Sequence, residues 1–295
     1  MNKKIILTGT TGMVGHYIDT CDWHAEIVKT THQDFDIADL KAVANYFDHL
    51  NGEIEIIIHM AAETDVDRCE KEFNHAHLIN AVGTKNMILQ ALKYDVPLLY
   101  ISTVGIFGGD GQLGPFHELS NPCPANVYGL TKLYGEAIVK NHLSKYFIVR
   151  PGWMMGGVKK DKKFVMKIVK QILDGKKEIF AIDEIIGSPT YSKELIRTVS
   201  QLIKTDLWGI YHCTNNGKMS RYEVAKFICE QIDPSIKVTQ VKSDYFNLPA
   251  PRAISEYSEN RMLNVYGLNT MSSVQDALKA YIDEIKAELF NRVGV

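Results

Sequence analysis

Lys4-Ile5-Ile6-Leu7-Thr8-Gly9-Thr10-Thr11-Gly12-Met13-Val14-Gly15 carries a short apolar run straight into three glycines spaced three residues apart. Lys4 to Leu7 reads as a strand, and the residues from about Met13 as the start of a helix. Between them the chain must turn tightly, and glycine lets the backbone come close to a pyrophosphate at a helix N-terminus. A glycine triplet by itself also suits an ordinary βα turn, so its meaning depends on the segments around it.

Those segments alternate in type. Ile27 to Thr30 precedes a helical pattern over Leu40 to Leu50, Ile54 to His59 precedes another over Asn74 to Lys93, and Leu98 to Ser102 and Phe147 to Arg150 continue the strand series. Strands separated by helical patterns imply βαβ units and a parallel sheet. The runs Ile54 to Ile58 and Pro97 to Ile101 are nearly all apolar, as strands covered on both faces should be. The predicted fold is α/β, a Rossmann-like doubly wound parallel sheet over residues 1–150. Residues 151–295 are expected to form a smaller mixed α/β lobe, with segments near 181–212 returning to the first domain. Within that lobe a helix is predicted over Phe164 to Leu173. A closing amphipathic helix is predicted through Val274, Leu278, Tyr281, Ile282, Ile285 and Leu289, capped by Ser272 or Ser273.

Composition narrows the partners. The 295 residues are 45% hydrophobic, and 33 Lys+Arg balance 35 Asp+Glu for a formal charge of -2, which excludes a disordered chain and a collagen-like one. Without a basic excess, neither nucleic acid nor a membrane surface is expected, and a small molecule is the favoured ligand. The apolar stretches around Ile56 to Ile58 and Val96 to Ile101 fall well short of the roughly 18 residues that span a bilayer. The start, Met1-Asn2-Lys3-Lys4 followed by Ile5-Ile6-Leu7, has too short an apolar run for a signal peptide. Cys21, Cys69, Cys123, Cys213 and Cys229 form an odd, scattered set typical of reduced thiols, so a cytoplasmic protein is expected. His75 and His77, two apart in a helical stretch, point to different faces, and no metal site is assigned to them. Lys159, Lys160, Lys162 and Lys163 suit a solvated face, with attraction of a diphosphate as the alternative.

Tyr128-Gly-Leu-Thr-Lys132 places a phenol and an ammonium at i and i+4 on one helical face, where the cation can lower the phenol's pKa and fit it for proton transfer. Such pairs are often only solvated neighbours. Here, however, Ser102-Thr103 precedes the pair at the C-terminal end of a buried strand, where open α/β sheets bind ligands, and Thr103 is placed to hydrogen-bond a carbonyl. Lys29-Thr30-Thr31-His32 offers no acid after the second strand to hold the ribose hydroxyls of NAD. The cofactor expected is therefore NADPH, with Thr31 or His32 near the 2′-phosphate and NADH as the alternative.

Together these motifs resemble an extended short-chain dehydrogenase/reductase, most closely the dTDP-4-dehydrorhamnose reductase family. The resemblance extends through His59-Met-Ala-Ala-Glu-Thr64-Asp-Val66-Asp67, Asn80-x-x-Gly-Thr84, Arg150-Pro151-Gly-Trp153, Gly187-Ser-Pro-Thr190, Gly209-Ile-Tyr-His212 and Pro251-Arg252-x-x-Ser255. It implies that Gly9, Thr11, Gly12, Met13, Val14 and Gly15 form the pyrophosphate turn, and that Asp36 and Ile37 flank the adenine. Ala61, Ala62 and Thr64 would border the ribose and nicotinamide, with Lys132 also on the nicotinamide ribose.

By the same resemblance Thr103, Tyr128 and Lys132 would be catalytic, and Thr103, Val104, Trp153 and Arg252 would meet a nucleotide-sugar substrate. Asp36 also suits a helix cap, Trp153 a core position and Arg252 a surface ion pair. The implied activity is reduction of a 4-keto group on a nucleotide-linked deoxysugar by a monomer or homodimer. The alternatives are another nucleotide-sugar reductase, epimerase or dehydratase of the superfamily, or a non-catalytic NADP-binding regulatory subunit. The family's Asp-Tyr-Val-Phe after the catalytic Ser-Thr is here Val104-Gly105-Ile106-Phe107, which removes two polar substrate-side groups. Its Arg-Pro dipeptide is Arg252-Ala253. Tyr17 stands where some members carry a magnesium-binding glutamate, which puts a dimer-bridging magnesium in doubt.

Overall fold

The strand that carries Ile5, Ile6 and Leu7 lies at the centre of the molecule, and all three side chains are fully buried. A computed structural model describes residues 3–290, so the outermost residues of both expected domains lie outside the described chain. β1 (Lys3–Thr8) leads through a 3-10 helix (Gly15–Thr20) to β2 (Glu26–Lys29), α1 (Leu40–Asp48) and β3 (Glu53–His59). Then come α2 (Val66–Lys71), α3 (Phe73–His77), α4 (Gly83–Lys93), β4 (Leu98–Ile101), α5 (Val127–His142) and β5 (Tyr146–Arg150). The rest of the chain holds β6 (Trp153–Met155), α6 (Phe164–Leu173), β7 (Glu178–Ile182), β8 (Ile186–Gly187), β9 (Pro189–Tyr191), α7 (Ser192–Leu202) and β10 (Gly209–His212). It closes with β11 (Met219–Ser220), α8 (Arg221–Ile232), β12 (Lys237–Val241), β13 (Ser255–Glu256), α9 (Arg261–Val265) and α10 (Val274–Ile285).

The main sheet has six parallel strands in the order β10-β5-β4-β3-β1-β2. The chain leaves β1 toward β2 on one side and returns to β3 on the other, so the strand order reverses between β1 and β3. In open α/β sheets the crevice at such a reversal, beyond the C-terminal strand ends, is where ligands bind. Thr8 and His59 end those two strands. Three smaller sheets, β11-β8-β13, β12-β7 and β6-β9, build the region beyond the crevice. One apolar cluster runs from Ile5 and Leu7 of β1 to Tyr281, Ile282 and Ile285 of α10, so a shared core ties that region to the sheet. Among the described residues no helix is long and apolar enough to cross a membrane.

Two predicted helices take other forms. After the glycine turn a 3-10 helix replaces the expected α-helix: His16, Tyr17, Ile18, Asp19 and Thr20 are all weak helix formers and do not sustain one. The helix expected over Asn74 to Lys93 is interrupted by a π-turn at Leu78–Val82. The interruption turns the buried Asn80 amide inward, where it accepts from the Glu63 N–H at 2.8 Å and donates to the Glu63 carbonyl and the Thr131 hydroxyl at 3.0 Å each. The loop after β3 is thereby pinned to α5, a functional use typical of such turns. The closing helix starts at Ser273, whose hydroxyl accepts from the Asp276 N–H.

Candidate active site

The glycine turn is built against the end of β3. Gly9 has φ 74°, and a Cβ there would lie 2.7 Å from the Ala61 backbone. The Thr8 hydroxyl oxygen accepts from the N–H groups of Met60 and Ala61 at 3.2 Å each, locking the two strand ends together. A Cβ on Gly15 would stand 1.9 Å from the Thr10 carbonyl oxygen, so this glycine serves close packing of the turn. Gly12 faces outward. The N–H groups of Thr11, Met13 and Val14 have no hydrogen-bond partner among the described residues. Such a row of free donors before a helical turn fits a dinucleotide pyrophosphate.

At the adenine side the exposed Asp36 carboxylate accepts from the Ala38 N–H at 2.9 Å, while Asp39 caps α1, so Asp36 is not the helix cap. Ile37 does not flank an open surface: its side chain turns inward against Gly83, where there is room because glycine has no side chain. Asp34 is a carboxylate that spacing did not reveal. It accepts from the Thr31 N–H at 2.7 Å and the Thr31 hydroxyl at 2.9 Å, which brings an acid back to the end of β2.

The proton-transfer groups gather beyond β4 and along α5. Asn126 caps α5 by accepting from the Gly129 N–H at 3.0 Å. Gly135 lets that helix lie directly on Tyr100, since a Cβ there would meet the phenol oxygen at 2.3 Å. Lys132 is thereby buried, with its ammonium 4.1 Å from the centre of the Tyr100 ring. Burial pulls its pKa down to about 7, against the opposing pull of Glu136 one turn on. Thr103 accepts from the Gly105 N–H at 3.0 Å through its hydroxyl oxygen. Tyr128 is half-buried beside it. Burial pushes the Tyr128 phenol well above its ordinary pKa, and the Thr103 hydroxyl opposes this. The net shift is upward, so burial outweighs the lowering expected from Lys132. Ser102, by contrast, donates at 2.6 Å to Glu136, whose carboxylate also receives Arg150 Nε at 2.8 Å and Nη2 at 2.6 Å in a buried pair. Ser102 belongs to this support, and Thr103 is the hydroxyl left for a ligand.

Comparison with known proteins places this arrangement. The family model of the RmlD substrate binding domain matches residues 3–287. The chain belongs to the RmlD substrate binding domain family. The spore coat polysaccharide biosynthesis protein SpsK of Bacillus subtilis is 30% identical, the match covering 95% of this chain and 97% of SpsK. The dTDP-4-dehydrorhamnose reductase of Mycolicibacterium smegmatis is also 30% identical, over 95% of this chain and 85% of that protein. Among solved structures, dTDP-4-dehydrorhamnose reductase from Bacillus anthracis in complex with NADP superposes with a TM-score of 0.89 at 32% identity, covering 96% of this chain and 100% of that one.

This RmlD family member departs from expectation mainly on the substrate side. Val104 is fully buried with Ile106, Phe107 and Phe116, so its side chain does not face a substrate; an apolar residue at this place sinks into the core. Trp153 packs closely against Gly187 and lies under the Arg221 guanidinium, 3.5 Å from the ring centre, and its Nε1–H donates to Glu256 at 3.1 Å. Arg252 donates at 2.8 Å both to Asp67 and to the Ala250 carbonyl. The lysine run splits: Lys163 reaches the Thr64 carbonyl at 2.6 Å, while Lys159, Lys160 and Lys162 stay exposed. Thr64 itself is exposed beside the half-buried Ala61 and Ala62. Tyr17 donates to Glu284 at 2.8 Å and accepts from the Gly157 N–H at 2.7 Å. His75 pairs with Glu63 at 3.4 Å while His77 stacks on Phe73, so these two histidines do not converge. Nothing local in the sequence marks Arg221 or Glu256 as part of this cluster.

Proposed function

We propose that the protein is an NADPH-dependent dTDP-4-dehydrorhamnose reductase, acting in the cytoplasm as a monomer or homodimer on a nucleotide-linked 4-keto sugar. The observation that carries this reading is the convergence of Thr103, Tyr128 and Lys132 at the strand ends beside a turn with free N–H donors. Five free cysteines accord with a reducing compartment. The N–H groups of Thr11, Met13 and Val14 would hold the cofactor pyrophosphate, Thr31 the adenosine ribose and Lys132 the nicotinamide ribose. When bound, the cofactor supplies a hydride to C4 of the sugar.

This chain's residues supply the proton and the positioning. Tyr128 keeps its phenolic proton at neutral pH because burial disfavours the phenolate. It therefore serves as the general acid that protonates the carbonyl oxygen as C4 is reduced, giving the secondary alcohol. The Thr103 hydroxyl oxygen already accepts from Gly105, which leaves its O–H to donate to that same oxygen and stabilise the charge developing there. The Lys132 ammonium on α5 offsets the phenolate left on Tyr128 until a solvent proton restores it. The test is NADPH oxidation by the purified chain with dTDP-4-dehydrorhamnose and a panel of other 4-keto nucleotide sugars. Oxidation with the first and not without sugar is expected; cofactor binding with no sugar-dependent oxidation would instead mark a regulatory dinucleotide-binding subunit.

A further inference from the structure

The segment that departs from the family leaves glycine at position 105, immediately after Thr103-Val104. A Cβ on Gly105 would lie 3.2 Å from the Thr103 hydroxyl and 4.0 Å from Oε1 of Glu256. The Glu256 carboxylate thus reaches, from β13, to the edge of van der Waals contact with the place where a side chain at 105 would begin. Its Oε2 takes the Trp153 Nε1–H at 3.1 Å, whereas Oε1 has no hydrogen-bond partner among the described residues. The residue is half-buried, so that free oxygen is not sealed in the core. Its charge also reaches Tyr128, whose phenol it helps to raise.

The surroundings hold this carboxylate in place. Trp153, packed against both Gly187 and Arg221, is a well-fixed donor. Burial raises the Glu256 carboxyl above its ordinary pKa, and the nearby Arg221 guanidinium, which has no hydrogen-bond acceptor among the described residues, opposes that rise and favours the carboxylate. A free carboxylate oxygen on a fixed mount, next to the proton donor of a reductase, is a ready acceptor for a sugar hydroxyl.

We propose that Glu256 is the specificity-determining residue of the sugar site, accepting a hydrogen bond from a ring hydroxyl of the hexose in place of the polar groups absent from 104 and 105. Arg221 and Trp153 are its positioning residues. The proposal rests on the reductase reading above. A purely structural Glu256, present only to anchor Trp153, would leave substrate choice untouched.

The experiment compares kcat/KM for the nucleotide-linked 4-keto hexose with kcat/KM for its 2-deoxy and 3-deoxy analogues, using NADPH and the wild-type, Glu256→Gln and Glu256→Ala chains. The wild type is expected to prefer the hydroxylated sugar over one of the analogues by roughly 10- to 100-fold, the worth of a hydrogen bond to a charged group. Glu256→Ala is expected to shrink that preference below about 3-fold while its affinity for NADPH is unchanged. Glu256→Gln can still accept from Trp153, and so tests the same point should the alanine variant unfold; its preference should fall several-fold. Full wild-type preference in whichever variants fold overturns the proposal alone. A wild-type chain that turns over no 4-keto hexose overturns it together with the reductase reading.

Discussion

The Lys132 ammonium stands 4.1 Å from the centre of the Tyr100 ring, on a residue that is only 2% exposed. An ammonium so placed has exchanged water for an aromatic face, and its pKa of about 7 is the consequence. The free enzyme therefore holds a charged Lys132 below pH 7 and loses the charge as pH rises through that value. If the ammonium is needed, kcat/KM for the keto sugar falls above about pH 7 with unit slope, while the Tyr128 proton is retained throughout. A pH–rate profile checks this, and a flat profile from pH 6 to 9 would contradict it.

The same residue weighs against stability. Unfolded, Lys132 titrates near its ordinary value of about 10.4. Between pH 7 and that value the unfolded chain binds the extra proton, so the Lys132 contribution to stability improves as pH rises across this window. Lys132→Met should therefore abolish turnover yet raise Tm at pH 7 by about 2–4 °C, corresponding to roughly 1 kcal/mol. Calorimetric melting of both chains decides it.

Behind the site, Glu136 joins Ser102, Arg150 and, through its charge, Lys132. Glu136→Gln leaves a buried guanidinium uncompensated, which should cost on the order of 3–5 kcal/mol in urea unfolding. Because Glu136 raises the Lys132 pKa, its loss should also move the falling limb of the pH–rate profile to lower pH. A limb that stays in place would separate Glu136 from the ammonium.

Asp34, held by the Thr31 N–H and hydroxyl, puts negative charge where the 2′-phosphate of NADPH is assigned. Asp34→Asn should shift the ratio of NADPH to NADH affinity toward NADPH by roughly 2- to 5-fold, as befits an exposed charge. Calorimetric titration with each cofactor measures the ratio, and an unchanged one would move the phosphate away from Thr31.

The sheet was legible in the sequence because its strands are buried on both faces and announce themselves as apolar runs such as Ile54 to Ile58. Tyr128 and Lys132 were legible because a helix fixes the spacing of i and i+4. The π-turn that aims Asn80 at the loop after β3 was not, since it changes a helix locally without changing its apolar pattern. Glu256, Arg221 and Trp153 lie far apart along the chain and meet only through the small sheet of β8, β11 and β13 with β6 beside it. Asp34 has no sequence signal because a turn, and not a strand, returns it to Thr31. Each of these depends on tertiary placement, on which spacing and propensity are silent.

The proposed role of Tyr128 as proton donor in keto-sugar reduction is isolated by Tyr128→Phe, since only the hydroxyl is removed. Measured with dTDP-4-dehydrorhamnose and NADPH, the variant should keep its affinity for NADPH and lose about 10²- to 10⁴-fold in kcat. Turnover of the sugar near the wild-type rate by this variant would rule out Tyr128 as the proton donor.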